Sequence, residues 1–194
     1  MRTKKPIELP SIEELEAEIS RKKHKQTQHH LLRNALYALI TIAAVTALVA
    51  VLFVPVLRST GNSMAPALED GEIVAVLKTK SVEPGDVIAF YYNGKLFIKR
   101  VIALGGSTVD LDEAGNVSVD GVPLEEPYLE EKAFGNGDVE FPFEVPDGQY
   151  FVLGDNRLTS ADSRNSIMGC VVPEDILGRV ILCVWPLVRF GGVD

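Results

Sequence analysis

The sequence predicts a mostly β domain carried on a single apolar N-terminal helix, and three observations support this. The run ALYALITIAAVTALVAVLFVPVL, Ala35 to Leu57, contains no charge. After it come β-branched and aromatic runs of strand length, each bounded by Gly, Pro, Asn or Asp. No second block with helical apolar spacing follows the span. The expected fold is a set of coiled antiparallel sheets, a partly open, barrel-like domain anchored by one transmembrane helix. A chain of 194 residues suffices for one such domain plus an anchor, and its net charge of −8 argues against nucleic acid as a partner.

Residues 1–33 form a basic leader. Ser11 with Glu14 three residues on has the capping-box pattern, and Ile12, Leu15 and Ile19 follow at helical spacing. A short cytoplasmic amphipathic helix near anionic headgroups and a solvated segment both fit this stretch, and no chemistry is assigned to it. Residues 34–57 form the span, whose apolar run of roughly 23 residues is enough to cross a bilayer as a helix. Pro55 falls in its last turn, where a kink is tolerable. Arg21, Lys22, Lys23, Lys25 and Arg33 precede the span and only Arg58 closely follows it. By the positive-inside rule the N-terminus is cytoplasmic and everything after Leu57 is outside. The apolar run exceeds the roughly 7–15 residues of a cleaved signal peptide, so an uncleaved signal-anchor fits better.

Residues 58–194 form the extracytoplasmic domain. Glu72–Lys78, Asp86–Tyr92 and Lys95–Leu104 read as strands separated by Glu83-Pro84-Gly85-Asp86 and by the hairpin turn Asn93-Gly94. Asn116–Leu124 reads as a hairpin around Asp120-Gly121, and Gln149–Asp155 and Ile176–Trp185 complete the set. Residues 125–148, rich in Gly, Pro and acids, read as an inserted loop or small subdomain. Cys170 and Cys183 have no metal-ligand spacing and read as buried free thiols.

All three histidines, His24, His29 and His30, precede the span, so neither a Ser-His-Asp triad nor a histidine metal site can form beyond it. A serine nucleophile there needs another base, and a lysine desolvated by burial can serve. Lys99 lies mid-strand in LFIKRVIAL, on one face with Phe97 and Val101. Such a lysine either snorkels to water, the commoner outcome, or is buried and partly neutral near pH 7. Arg100 faces the other way and cannot be a base. Ser63, in GNSMAPALEDG, is either a turn residue or a nucleophile held near the membrane. In GDNRLTSADSR, Gly154–Arg164, two acids alternate with two arginines, a composition that suits a polar loop or a charge-assisted network fixing Ser160.

Taken together and in order, these segments resemble the bacterial type I signal peptidases, membrane-bound serine–lysine endopeptidases, and the single-span Gram-positive members in particular. The motifs are Ser63-Met64-Ala65-Pro66, Gly85-Asp86-Val87-Ile88, Ile98-Lys99-Arg100-Val101, and Gly154, Asp155, Asn156, Ser160, Asp162, Ser163 and Arg164. The likeness runs from the span to near the C-terminus. It departs at Ala67, where members often carry Thr, and at Asn165–Met168, which is longer than expected before Gly169.

The resemblance implies that Ser63 is the nucleophile, Lys99 the neutral general base, and Ser160 the group orienting Lys99. Asp155, Asp162 and Arg164 would support the Ser160 loop. The Ser63 backbone N–H would hold the oxyanion. Gly61 stands where some members place a serine hydroxyl as second donor, so a backbone N–H would have to serve. Met64 and Ile98 would line pockets admitting small side chains. The implied substrates are secretory preproteins, cut after A-x-A-like sites through an acyl-enzyme, with membrane lipid as the other partner and no metal or cofactor. Trp185 and Phe190 suit either core packing, the favoured reading, or a membrane interface. A self-cleaving repressor is disfavoured by the span and by the lack of a DNA-binding helix pair. A tethered β binding module would not need both Ser63 and Lys99. Oligomeric state is not legible.

Overall fold

The structure, a computed structural model, describes residues 12–193 and divides into an N-terminal helical unit and a β unit from Val51 onward. Helix α1, Ile12–Phe53, is continuous through leader and span. Its sequence contains no Gly or Pro and is rich in Ala, Leu, Glu and Lys, so nothing interrupts it. The expected N-cap Ser11 lies outside the described residues. The stretch His29–Phe53 is long and apolar enough to cross a membrane.

The helix ends at Phe53, earlier than the expected Leu57. Pro55 has no N–H to continue it, and the residue before a proline is steered out of the helical region. Val56–Arg58 instead forms strand β1, paired with β2. About 20 residues from Asn34 to Phe53 remain for the span, still the required length.

The β unit holds two open antiparallel sheets. The larger runs in the order β1 (Val56–Arg58), β2 (Ile73–Leu77), β10 (Ile176–Trp185), β3 (Val87–Tyr92), β4 (Lys95–Leu104), β9 (Tyr150–Leu153). The smaller is β7 (Val122–Pro123), β6 (Val117–Val119), β5 (Thr108–Leu111), β8 (Phe143–Glu144). Neither closes on itself, so the barrel-like expectation becomes two sheets with free edges. Strand β4 pairs β3 up to Arg100 and β9 from there, and β10 pairs β3 up to Arg179 and β2 from there. Register shifts in the β4–β9, β10–β3 and β10–β2 pairings bend and coil the larger sheet. Both two-residue hairpins form as expected: Asn93 and Gly94 have φ of 48° and 72°, and Asp120 and Gly121 have 53° and 78°.

Three apolar clusters make the core. Met64, Leu68, Val74, Val76, Val87, Ala89 and Val180 form one, with Leu96 and Ile98 against it. A second gathers Ile88, Phe90, Val101, Val152 and Ile176, with Phe97 at its margin. The third joins the sheets through Ile102, Val109, Leu111 and Phe151. Phe141 and Phe143 of the 125–148 segment pack their rings against Phe151, so that segment contributes to the core. Cys170 is half-buried and Cys183 buried, both free thiols. Trp185 and Phe190 are 54% and 59% exposed, against the favoured reading of core packing. Trp185 closes β10 opposite Ile73 of β2, and Phe190 follows the short 3-10 turn Leu187–Arg189.

Candidate active site

Two elements bring the principal pair together. Ser63 sits in a tight turn closed by the Ala65 N–H donating to the Asn62 carbonyl at 3.2 Å, and the next turn is closed by the Leu68 N–H donating to the Met64 carbonyl at 2.8 Å. Met64 and Leu68 anchor that turn in the core, at 2% and 0% exposure. Lys99 comes from the middle of β4, paired with Ile88 of β3. Its Nζ lies 2.7 Å from Ser63 Oγ. Snorkelling is excluded, because Lys99 is only 1% exposed. Burial lowers its pKa from 10.5 to about 8; Asp162 and Asp155 oppose the shift and Arg164 assists it.

Around this pair lie three buried arginine–carboxylate pairs. Arg100, next to Lys99 but on the opposite face, donates Nε and Nη2 to the two oxygens of Asp155 at 2.9 and 2.7 Å. Its Nη1 reaches the Gly85 carbonyl, and its guanidinium lies 4.0 Å from the Tyr128 ring centroid. Arg164 donates Nε and Nη2 to Asp162, both at 2.8 Å, and Nη1 to the Phe134 carbonyl at 2.6 Å. Asp162 also accepts the Gly154 N–H at 3.0 Å. Arg157 pairs with Glu126 and donates to the Gly154 carbonyl at 3.1 Å. Ser163 Oγ accepts the Val152 N–H and donates to the Gly169 carbonyl. Charge-assisted bonds of this density hold a loop in one conformation.

Two expected contacts take a different form. Ser160 is buried beside Gly154, but among the described residues its hydroxyl has no hydrogen-bond partner, Lys99 included. The Lys99 amine is directed at Ser63 instead. Gly61 cannot offer its N–H to an oxyanion, because that N–H donates to Asp70 at 2.7 Å. Among the described residues no acceptor takes the Ser63 backbone N–H, so it remains available to a developing oxyanion. Sequence reasoning passed over Asp70 and, in the 125–148 segment, Glu126 and Tyr128, whose partners Arg157 and Arg100 lie elsewhere in the chain.

Ser63 and Lys99 line a cleft of about 570 Å³ together with Met64, Leu96, Phe97, Ile98, Thr159 and Ala161. One wall is the edge of β4. Strand β9 pairs with β4 only from Arg100 onward, leaving Lys95–Lys99 without a partner on that side among the described residues. Such an edge can accept an extended peptide by backbone pairing. The arrangement holds a serine hydroxyl, an amine within reach of its proton, and an N–H donor with no acceptor among the described residues, the parts an acyl-transfer reaction needs.

Comparison with known proteins points to one family. The model of the family described as "Signal peptidase, peptidase S26" matches residues 32–185. Signal peptidase I of Bacillus licheniformis is 40% identical over 163 residues, 76% of this chain and 86% of its own. Signal peptidase I U of Bacillus subtilis is 37% identical over 163 residues, 77% of this chain and 85% of its own. A probable signal peptidase I-1 of Synechocystis is 38% identical over 168 residues, covering 79% and 83%.

Proposed function

Since the chain belongs to the signal peptidase family, peptidase S26, we propose that Ser63 is its nucleophile and Lys99 its general base. The chain is a serine endopeptidase of the signal peptidase I kind, acting on secretory preproteins. The observation that carries the residue assignment is the 2.7 Å approach of a buried, pKa-lowered Lys99 amine to Ser63 Oγ in a peptide-sized cleft.

A preprotein lies extended along the free edge of β4, and its scissile carbonyl carbon meets Ser63 Oγ. As the C–O bond forms, the hydroxyl proton passes to Lys99 Nζ, and the carbonyl oxygen turns toward the Ser63 N–H. Collapse of the tetrahedral intermediate expels the mature chain's amine, which takes the proton from Lys99. The signal peptide remains as an ester on Ser63. Lys99 then takes a proton from water as the water oxygen attacks the ester carbonyl. Ser63 Oγ leaves and takes that proton back from Lys99, freeing the signal peptide as its carboxylic acid. Asp155, Asp162 and Arg164 take no proton; they fix the loop and, through Asp162, set the field on Lys99.

Met64 and Ile98 lie in the cleft wall and limit the side chains that can enter. Replacing Ile98 by Ala is expected to raise the relative rate on a preprotein with a bulky residue at the cleavage site about tenfold. An unchanged ratio of rates would remove Ile98 from the specificity role. The span from His29 to Phe53 anchors the chain in the cytoplasmic membrane, N-terminus inside and β unit outside. Exposed Trp185, Leu187, Val188 and Phe190 suit contact with lipid.

The test is cleavage of a secretory preprotein by the purified, detergent-solubilised chain, with the product identified by N-terminal sequencing. Cutting after an A-x-A-like site is expected, with a loss of at least about 10⁴-fold in Ser63→Ala and in Lys99→Ala. If Ser63→Ala cuts as well as the parent, the assignment fails.

A further inference from the structure

The C-terminal turn Leu187–Arg189 sends one side chain back to the segment that carries Ser63. Val188 beside it is 90% exposed, but Arg189 turns inward. Its Nη2 donates to the carbonyl oxygens of Pro66 at 2.6 Å and Ala67 at 3.2 Å. Nη1 donates to Glu69 at 2.6 Å, and Nε lies 2.8 Å from Glu72. One guanidinium therefore meets four groups of the Pro66–Glu72 stretch, just past the nucleophile.

The two carbonyls belong to the end of the turn that begins at Met64, where, as at a helix C-terminus, no local N–H is available to them. Glu72 is only 3% exposed, so its carboxylate requires a cation nearby. The remaining side-chain ties of this stretch are local. Asp70 holds the Gly61 N–H, and Glu72 holds the Glu69 N–H at 3.0 Å. Met64 and Leu68 in the core and backbone bonds to Asn156 and Ser59 seat the two ends of the loop, and Arg189 ties down the Pro66–Glu69 stretch between them. A planar fork hydrogen-bonds two carbonyls and Glu69 while setting its charge 2.8 Å from Glu72; a lysine ammonium, a single point of donors, cannot span them.

We propose that Arg189 is a positioning residue for the peptidase reaction, holding the Ser63 turn at the height where Oγ meets Lys99. This rests on the reading of Ser63 and Lys99 as the catalytic pair. Arg189 touches neither group; it acts through the Pro66 and Ala67 carbonyls. A displacement of the order of 1 Å in the turn is enough to lower turnover without weakening substrate binding along the β4 edge.

The experiment uses the full chain in detergent: parent, Arg189→Lys, Arg189→Ala, Glu69→Gln, Ser63→Ala and Lys99→Ala. For each, kcat and KM on a preprotein and the thermal unfolding midpoint are measured. Arg189→Lys keeps a cation opposite Glu72, so its midpoint is expected near the parent's, with kcat down about tenfold and KM within about twofold. Arg189→Ala is expected to lose about a hundredfold in kcat. Glu69→Gln, which keeps both carbonyl bonds, is expected to lose less than about threefold. The pH midpoint of kcat/KM stays put in Arg189→Lys, because the base is untouched. A parent-like kcat in folded Arg189→Lys, or losses in every variant that follow the folded fraction alone, overturns the proposal. If Arg189→Ala does not fold, Arg189→Lys decides. Activity retained in Ser63→Ala or Lys99→Ala defeats the catalytic reading instead; both inert beside a parent-like Arg189→Lys defeats only the role of Arg189.

Discussion

Lys99→Met is expected to abolish peptidase activity and at the same time make the protein harder to unfold. The two effects share one cause. Lys99 has its pKa lowered from 10.5 to about 8 because the folded protein buries it. Below pH 8 both the folded and the unfolded chain carry the proton, and the folded state bears the full penalty of a buried ammonium. Between pH 8 and 10.5 the unfolded state binds more protons than the folded one, so stability rises with pH across that window. A shift of this size corresponds to about 3 kcal/mol at neutral pH. Methionine fills much the same volume without a charge, and loss of the contact with Ser63 Oγ offsets part of the gain. A net stabilisation of about 1–3 kcal/mol at pH 7 is expected, a few degrees in unfolding midpoint. Unfolding curves for parent and variant from pH 6 to 10 would measure it. The gap should be constant below about 8 and shrink toward 10.5, while the parent's kcat/KM rises with a midpoint near 8. A variant less stable than the parent at pH 7, or a gap independent of pH, would show that Lys99 is not held at a cost.

The fold was legible where one physical signal dominated. Strands β4 and β10 occupy the residues their β-branched runs predict, since Gly, Pro and Asn-Gly punctuate both ends. The helix end was misjudged because Val54–Leu57 is apolar, and an apolar run reads alike as lipid-facing helix or as strand. Pro55 was the signal that the helix had to stop. Strand β5, Thr108–Leu111, alternates exposed and buried residues but is only four residues long, too short a run to be singled out in the sequence. At the site, the mid-strand position of Lys99 left snorkelling, the commoner outcome, and burial both open, and only the fold, with Lys99 1% exposed, decides for burial. The Arg157–Glu126 pair and the Arg189 contacts could not be read either, because each joins segments that only the folded chain brings together. Gly61 stands at the position of a second oxyanion donor, but its own N–H serves Asp70, a loop-closing bond that spacing does not reveal.

Gly154→Ala is the second large effect expected, and it separates geometry from backbone strain. A Cβ built on Gly154 would fall inside the envelopes of Ser160 Oγ and the Ser63 carbonyl oxygen, and 2.5 Å from Ser160 Cβ. Gly154 does not have the positive φ that resists an L side chain. The penalty is therefore steric and directed at two residues of the site. Ser160 can yield by a rotamer change or a small loop movement. The Ser63 carbonyl cannot, because it is main chain, holding the Asn156 N–H at 3.1 Å, and its displacement carries Oγ away from Lys99. Gly154 is also fixed from behind, its N–H on Asp162 and its carbonyl on Arg157, so it cannot retreat cheaply. Misplacement of the nucleophile by about 1 Å is expected to lower kcat/KM about 10²-fold or more. Overpacking of this kind costs about 1–3 kcal/mol, which lowers the unfolding midpoint but leaves the protein folded. Activity is thus lost out of proportion to stability. Kinetics on a preprotein beside thermal unfolding of the same sample would check it. A variant within threefold of the parent in kcat/KM would mean that the gap between β9 and the Ser63 turn is wide enough for a methyl group, and that Gly154 does not set the approach of Ser63 to Lys99.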